Sequence, residues 1–152
     1  MSAALFDSNL WLALTFDKHP FHETARTVFR DCKSKSPAVF CRATEQSFLR
    51  LASTPALHAT YESIGLNNHD VIGFLEDFHK LPHVIFADEA ATSRNLWITL
   101  ADRQTASPKV WMDAYLAAFA ISANLRFVTF DRDFLQFQSH GLNLQLLATN
   151  GS

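Results

Sequence analysis

Short apolar runs that stop at polar or acidic residues recur along the chain, separated by stretches with the three-to-four-residue spacing of helices. Residues 3–6, 38–40, 83–86 and 127–130 are such runs, suited to strands buried on both faces. Residues 142–147, with Asn143 and Gln145 alternating, read as a fifth, edge strand. Between them the spacing predicts helices over residues 10–15, 22–33, 42–53, 69–80 and 89–101. Asp88 is a candidate cap for the last of these. A further helix begins at Ser107-Pro108, proline just inside a helix start being favoured. From residue 110 to 125 that helix carries a single charge, Asp113, so it is a buried one. Residues 54–66 are ambiguous, with Pro55 and Gly65 as breakers. Strands alternating with helices predict an α/β fold, a three-layer α/β/α sandwich around a mostly parallel, roughly five-stranded sheet.

Composition adds bounds. The 152 residues suit one domain, residues 1–152, and 48% hydrophobic with 18% charged residues describes a compact globular protein. No apolar run approaches the roughly 20 residues of a membrane span, so no membrane association and a cytoplasmic location are expected. Cys32 and Cys41 form neither a CxxC pair nor a disulfide framework. A formal net charge of −2 argues against a protein that coats nucleic acid electrostatically, though it does not exclude an enzyme that holds a nucleic acid through a bound cation. The seven histidines lack HxH or HExxH spacing, and no phosphate-binding glycine loop is present. Trp11, Trp97 and Trp111 sit on apolar helix faces and read as core or dimer contacts rather than base-stacking platforms.

Four carboxylates stand in costly places. Asp7 ends the first strand, and Asp131 ends the fourth or caps a short helix through Phe137. Asp113 shares a face with Val110, Leu116, Ala117 and Ala120. Glu45 lies three residues before Phe48, which with Leu49 and Ala52 makes an inward stripe. The sandwich places all four at one edge of the sheet. Like charges about 4 Å apart repel by about 4 kcal/mol at an effective dielectric near 20, so a divalent cation or bound protons are required. Oxygen-only ligation suits Mg²⁺ or Mn²⁺.

The segments Phe6-Asp7-Ser8-Asn9, Thr44-Glu45, Met112-Asp113-Ala114-Tyr115-Leu116-Ala117 and Val128-Thr129-Phe130-Asp131-Arg132-Asp133-Phe134 occur in an order that resembles the PIN-domain ribonucleases, specifically the VapC toxins of bacterial toxin–antitoxin pairs. The resemblance spans nearly the whole chain. It implies Asp7, Glu45, Asp113 and Asp131 as catalytic and metal-binding acids, with Asp133 a fifth ligand. Asn9 and Thr129 match polar positions at the rim of the family's site. Arg42, Arg94, Lys109 and Arg132 are candidate RNA contacts. The His19-Pro20-Phe21-His22 segment also resembles a feature of some members, without an assigned role.

The implied activity is Mg²⁺- or Mn²⁺-dependent hydrolysis of RNA phosphodiester bonds by a metal-activated water. The implied partners are an RNA substrate, a small antitoxin protein and a second copy of the chain in a homodimer. Two alternatives compete: a catalytically silent PIN-like module that binds RNA or a partner, and a phosphatase using Asp7 as nucleophile. The latter chemistry wants a second aspartate where this chain has Asn9.

Overall fold

The computed structural model describes residues 2–149. Its strands are β1 (Ala4–Phe6), β2 (Ala38–Phe40), β3 (Val84–Phe86), β4 (Arg126–Thr129) and β5 (Leu144–Leu146). Successive side chains leave opposite faces of a strand, and here both faces are apolar. Ala4, Phe6, Ala38, Phe40 and Val128 pack into one core beneath α1 (Ser8–Thr15), α2 (His22–Asp31), α3 (Arg42–Ala52) and α5 (Asn68–His79). Leu5, Val39 and Phe127 point the other way, into a core closed by α6 (Ser93–Ala101), α7 (Val110–Ser122) and a 3-10 helix, Arg132–His140. The expected three layers follow from that alternation.

All four strand pairings are parallel, in the order β3-β2-β1-β4-β5. The chain runs outward from β1 through β2 to β3, then crosses by α6 and α7 to β4 on the other side of β1. Such a reversal opens a crevice beyond the carboxyl ends of the two central strands, the usual ligand site of an open α/β sheet. Leu5 pairs with Phe127 and Phe6 with Val128, so Asp7 and Thr129 emerge side by side at its floor.

Beyond shifts of one or two residues at other element ends, three stretches differ from the sequence reading. The ambiguous stretch holds a short helix, α4 (Pro55–Thr60), because Pro55 opens a helix rather than breaking one. Residues 88–90 are not helical, and α6 starts at Ser93 after Thr92. The Glu89 carboxylate instead accepts a hydrogen bond from the Tyr115 hydroxyl of α7. Ser107 and Pro108 form a turn closed by the Val110 amide on the Ser107 carbonyl, so α7 begins at Val110. Asp113 therefore stands in the first turn of α7, where the helix dipole favours a carboxylate. Trp11 is fully buried and stacks on Phe40 with ring centroids 3.8 Å apart, as a core residue should, whereas Trp111 is 50% exposed. Among the described residues no helix is long and apolar enough to cross a membrane.

Candidate active site

Asp7 leaves β1 with its amide donating to the Val128 carbonyl, then caps α1. One carboxylate oxygen accepts from the Ser8 amide at 2.8 Å, and the other from the Thr129 hydroxyl at 2.7 Å. Thr129 is fully buried, and its single hydroxyl proton is committed to Asp7. The Thr129 hydroxyl oxygen in turn accepts from the Asn9 amide group at 3.4 Å and from the Asp131 backbone amide at 3.0 Å. One threonine thus ties together the ends of β1 and β4 and the start of α1. Asn9 Oδ1, buried as well, has no hydrogen-bond partner among the described residues.

Asp131 caps the 3-10 helix, its carboxylate accepting from the Asp133 amide at 2.9 Å. This turn brings Asp133 back toward α7. One carboxylate oxygen each of Asp113, Asp131 and Asp133 lie within 4.8 Å of one another. Burial pushes the Asp7 carboxyl up to about 6 from the ordinary 3.8; the Thr129 and Ser8 hydrogen bonds pull it back, and the Asp131 charge adds to the rise. Asp113 is also raised to about 6, first by burial and then by the charges of Asp131, Asp7 and Asp133. The four aspartates therefore form one electrostatically coupled group.

A cavity of about 560 Å³ opens over this group, with Asp7, Asn9, Asp113 and Asp131 on its floor and Thr44, Gln46, Ser47, Arg50 and Met112 on its walls. Glu45 does not line it. With about 100° of turn per residue, the α3 stripe of Ala43, Gln46, Ser47 and Arg50 faces the cavity and leaves Glu45 on the opposite side. Glu45 is buried, as its phase with Phe48 implies, but against α5. Its carboxylate meets His79 Nε2 at 2.8 Å and the Arg42 guanidinium at 2.7 Å. Inward on α3 means toward the hydrophobic core, and the crevice lies elsewhere.

The candidate RNA contacts separate similarly. Arg42 is engaged by Glu45 and sits 4.7 Å over the Phe86 ring. Arg94 is exposed on α6 and lines neither cavity, while Arg132 is exposed beside Asp131. Lys109 borders a second cavity, about 360 Å³, with Arg103, Ser107, Gln136, Asp113 and Asp133. Sequence reasoning missed Arg50 and Arg103. Arg50 was readable as the continuation of the Ala43–Gln46–Ser47 stripe; Arg103 lies in a loop and carries no periodic signal. The His19–His22 segment is structural: His19 Nδ1 accepts from the Phe21 amide, and His22 Nδ1 bonds the Ala13 carbonyl near the end of α1.

The donor set fits a hard divalent cation: three aspartates with oxygens close together and the strand-end Asp7 on the same cavity, all oxygen ligands, with burial and neighbouring charge raising both Asp7 and Asp113. The unpartnered Asn9 Oδ1 adds an acceptor suited to a water at such an ion.

Comparison with known proteins agrees with this geometry. The family described as PIN domain matches residues 4–139. The chain is 37% identical over 145 residues to Ribonuclease VapC41 of Mycobacterium tuberculosis, covering 95% of this chain and 98% of that protein. It is 31% identical over 136 residues to Ribonuclease VapC31 of the same organism, covering 89% and 93%. Among solved structures, VapBC2 from Rickettsia felis bound to a promoter DNA fragment superposes with TM-score 0.61 at 10% identity, covering 95% of this chain and 98% of that one. Mycobacterium tuberculosis VapC20, a Sarcin-Ricin loop cleaving toxin, superposes with TM-score 0.59 at 14% identity, covering 92% and 96%. At those identities the two structures establish the fold.

Proposed function

The chain belongs to the PIN-domain family and to its VapC ribonucleases, and from that premise we propose that it acts, as a single domain, as a Mg²⁺- or Mn²⁺-dependent endoribonuclease, the toxin of a toxin–antitoxin pair. The observation that carries the reading is the convergence of Asp113, Asp131 and Asp133 beside the strand-end Asp7. Asp7, Asp113 and Asp131 hold the cation, with Asp133 a further ligand on the exposed side. When bound, the cation acidifies a water, orients the phosphodiester and offsets charge on the leaving oxygen. The Thr129 hydrogen bond aims the Asp7 carboxylate and partly offsets the effect of burial on it, and Asn9 Oδ1 would accept a hydrogen bond from a water in the crevice. Glu45 braces α3 against α5 through His79. No nucleophilic side chain is needed, and Asn9 stands where the phosphatase reading wants a second aspartate.

The names of the relatives support RNA as the substrate, and the Rickettsia felis complex supports a small antitoxin as partner. A homodimer is the proposed assembly, checked by light scattering, and co-purification from the native operon checks the antitoxin. The activity test is incubation of the purified protein with cellular RNA in Mg²⁺ or Mn²⁺, with cut ends mapped. Wild type cuts at defined positions, and Asp113→Asn loses at least about a hundredfold of that rate. Equal cutting by both proteins would overturn the site assignment, and RNA binding without cutting would favour the silent module.

A further inference from the structure

The 360 Å³ cavity shares Asp113 with the larger one and adds Asp133, so the two meet at the aspartate group with otherwise different linings. It differs in what faces the acids. Arg103 and Lys109 both line it, and among the described residues neither forms an ion pair with a carboxylate. Arg103 is nevertheless held in place: its Nη2 donates to Gln136 Oε1 at 2.6 Å, and the Gln136 amide group donates to the Asp133 carbonyl at 2.8 Å. A guanidinium is thereby tethered to the backbone of an acidic residue without being neutralised by it. That arrangement leaves its remaining donors for an anion, and the planar fork suits a phosphate. The larger cavity has its own cation in Arg50.

We infer that Arg103 and Lys109 form a phosphate subsite for the nucleotide on one side of the scissile bond, with Arg50 contacting the strand on the other side. This rests on the ribonuclease reading and deepens it. A chain of net charge −2 has no general attraction for RNA, so a polyanion approaching an acidic centre needs localised cations to keep it there. The cavity volume is at the lower end for small-molecule sites, about one nucleotide's worth of space.

The test uses the full-length protein and a labelled RNA 12-mer spanning a cut mapped as above, with kcat and KM measured from low to moderate KCl. Arg103→Ala is expected to raise KM roughly tenfold with kcat changed much less, since a charged hydrogen bond is lost outside the reacting group. The slope of log(kcat/KM) against log[KCl] should flatten by about 0.7 for Arg103→Ala and by about twice that for the double variant with Lys109→Ala. Gln136→Ala keeps both charges and should raise KM less, with the slope unchanged. Arg103→Gln repeats the measurement should the alanine variant fail to fold. Wild-type KM and salt slope in the Arg103 and Lys109 variants, with cutting intact, would overturn the subsite while leaving the ribonuclease reading standing. Absence of cutting by the wild type under every metal condition would overturn that reading and the subsite with it.

Discussion

Thr129 has one proton to give and gives it to Asp7, so its two neighbours can only donate to it. Thr129→Val keeps the shape and removes the hub, leaving one Asp7 oxygen without a donor in a buried setting. Its carboxyl then rises further, and Mn²⁺ affinity, measured calorimetrically, should fall roughly tenfold to a hundredfold. Glu45 calls for the opposite expectation. Glu45→Gln breaks charged contacts to His79 and Arg42 rather than a ligand. It should cost about 1–3 kcal/mol, seen as a Tm lowered by roughly 3–10 °C, while Mn²⁺ affinity stays within about twofold of wild type. A loss of Mn²⁺ affinity matching that of Asp113→Asn would show that Glu45 reaches the ion.

At the scale of the element, α7 explains how an acidic residue on a helix reaches the ends of strands. Ala114, Ala117, Ala118 and Ala120 are all fully buried, and their small side chains let α7 lie close to the sheet and to α6. Ala117→Leu overpacks that contact. It should cost about 1–3 kcal/mol in thermal unfolding and, by displacing Asp113 from Asp131, lower cleavage by on the order of a hundredfold, more than the stability loss explains. The 3-10 helix has a comparable dependence on its end, where Gly141 adopts φ 99°. That is the left-handed conformation at which glycine closes a helix without strain.

For the whole molecule the aspartate group sets a pH and metal dependence. Asp7 and Asp113 hold protons up to about pH 6 in the folded protein, against an ordinary value of 3.8. Between those values the folded state binds more protons than the unfolded, so these two groups stabilise the metal-free protein at low pH and lose that contribution as pH rises toward 6. For Asp7, 9% exposed, the effect is on the order of 2–3 kcal/mol. In EDTA, Asp7→Asn should therefore raise Tm relative to wild type at pH 7.5 and lose that advantage near pH 4. Added Mg²⁺ should raise wild-type Tm at pH 7.5 and act weakly at pH 5, where protons compete for the same oxygens. Scanning fluorimetry across pH, with and without the ion, reads both.

The layers, the parallel order of alternation and three of the acids were legible without coordinates, because burial on both faces leaves strands such as Ala38–Phe40 with no polar position and helices such as α7 with almost none. Asp7, Asp113 and Asp131 stood out because each interrupts such a run. What periodicity could not distinguish was which of two buried sides a residue faces. Glu45 and Arg50 sit on one helix, and only the packing of α3 between α1 and α5 decides that the glutamate turns to His79 and the arginine to the crevice. Arg103 and Gln136, 33 residues apart, meet through a loop and a 3-10 helix that carry no repeating pattern. Local spacing determined which side chains are withdrawn from water; the three-dimensional crossing of the elements decided which of them share a site, because proximity between distant residues is a property of packing and not of spacing.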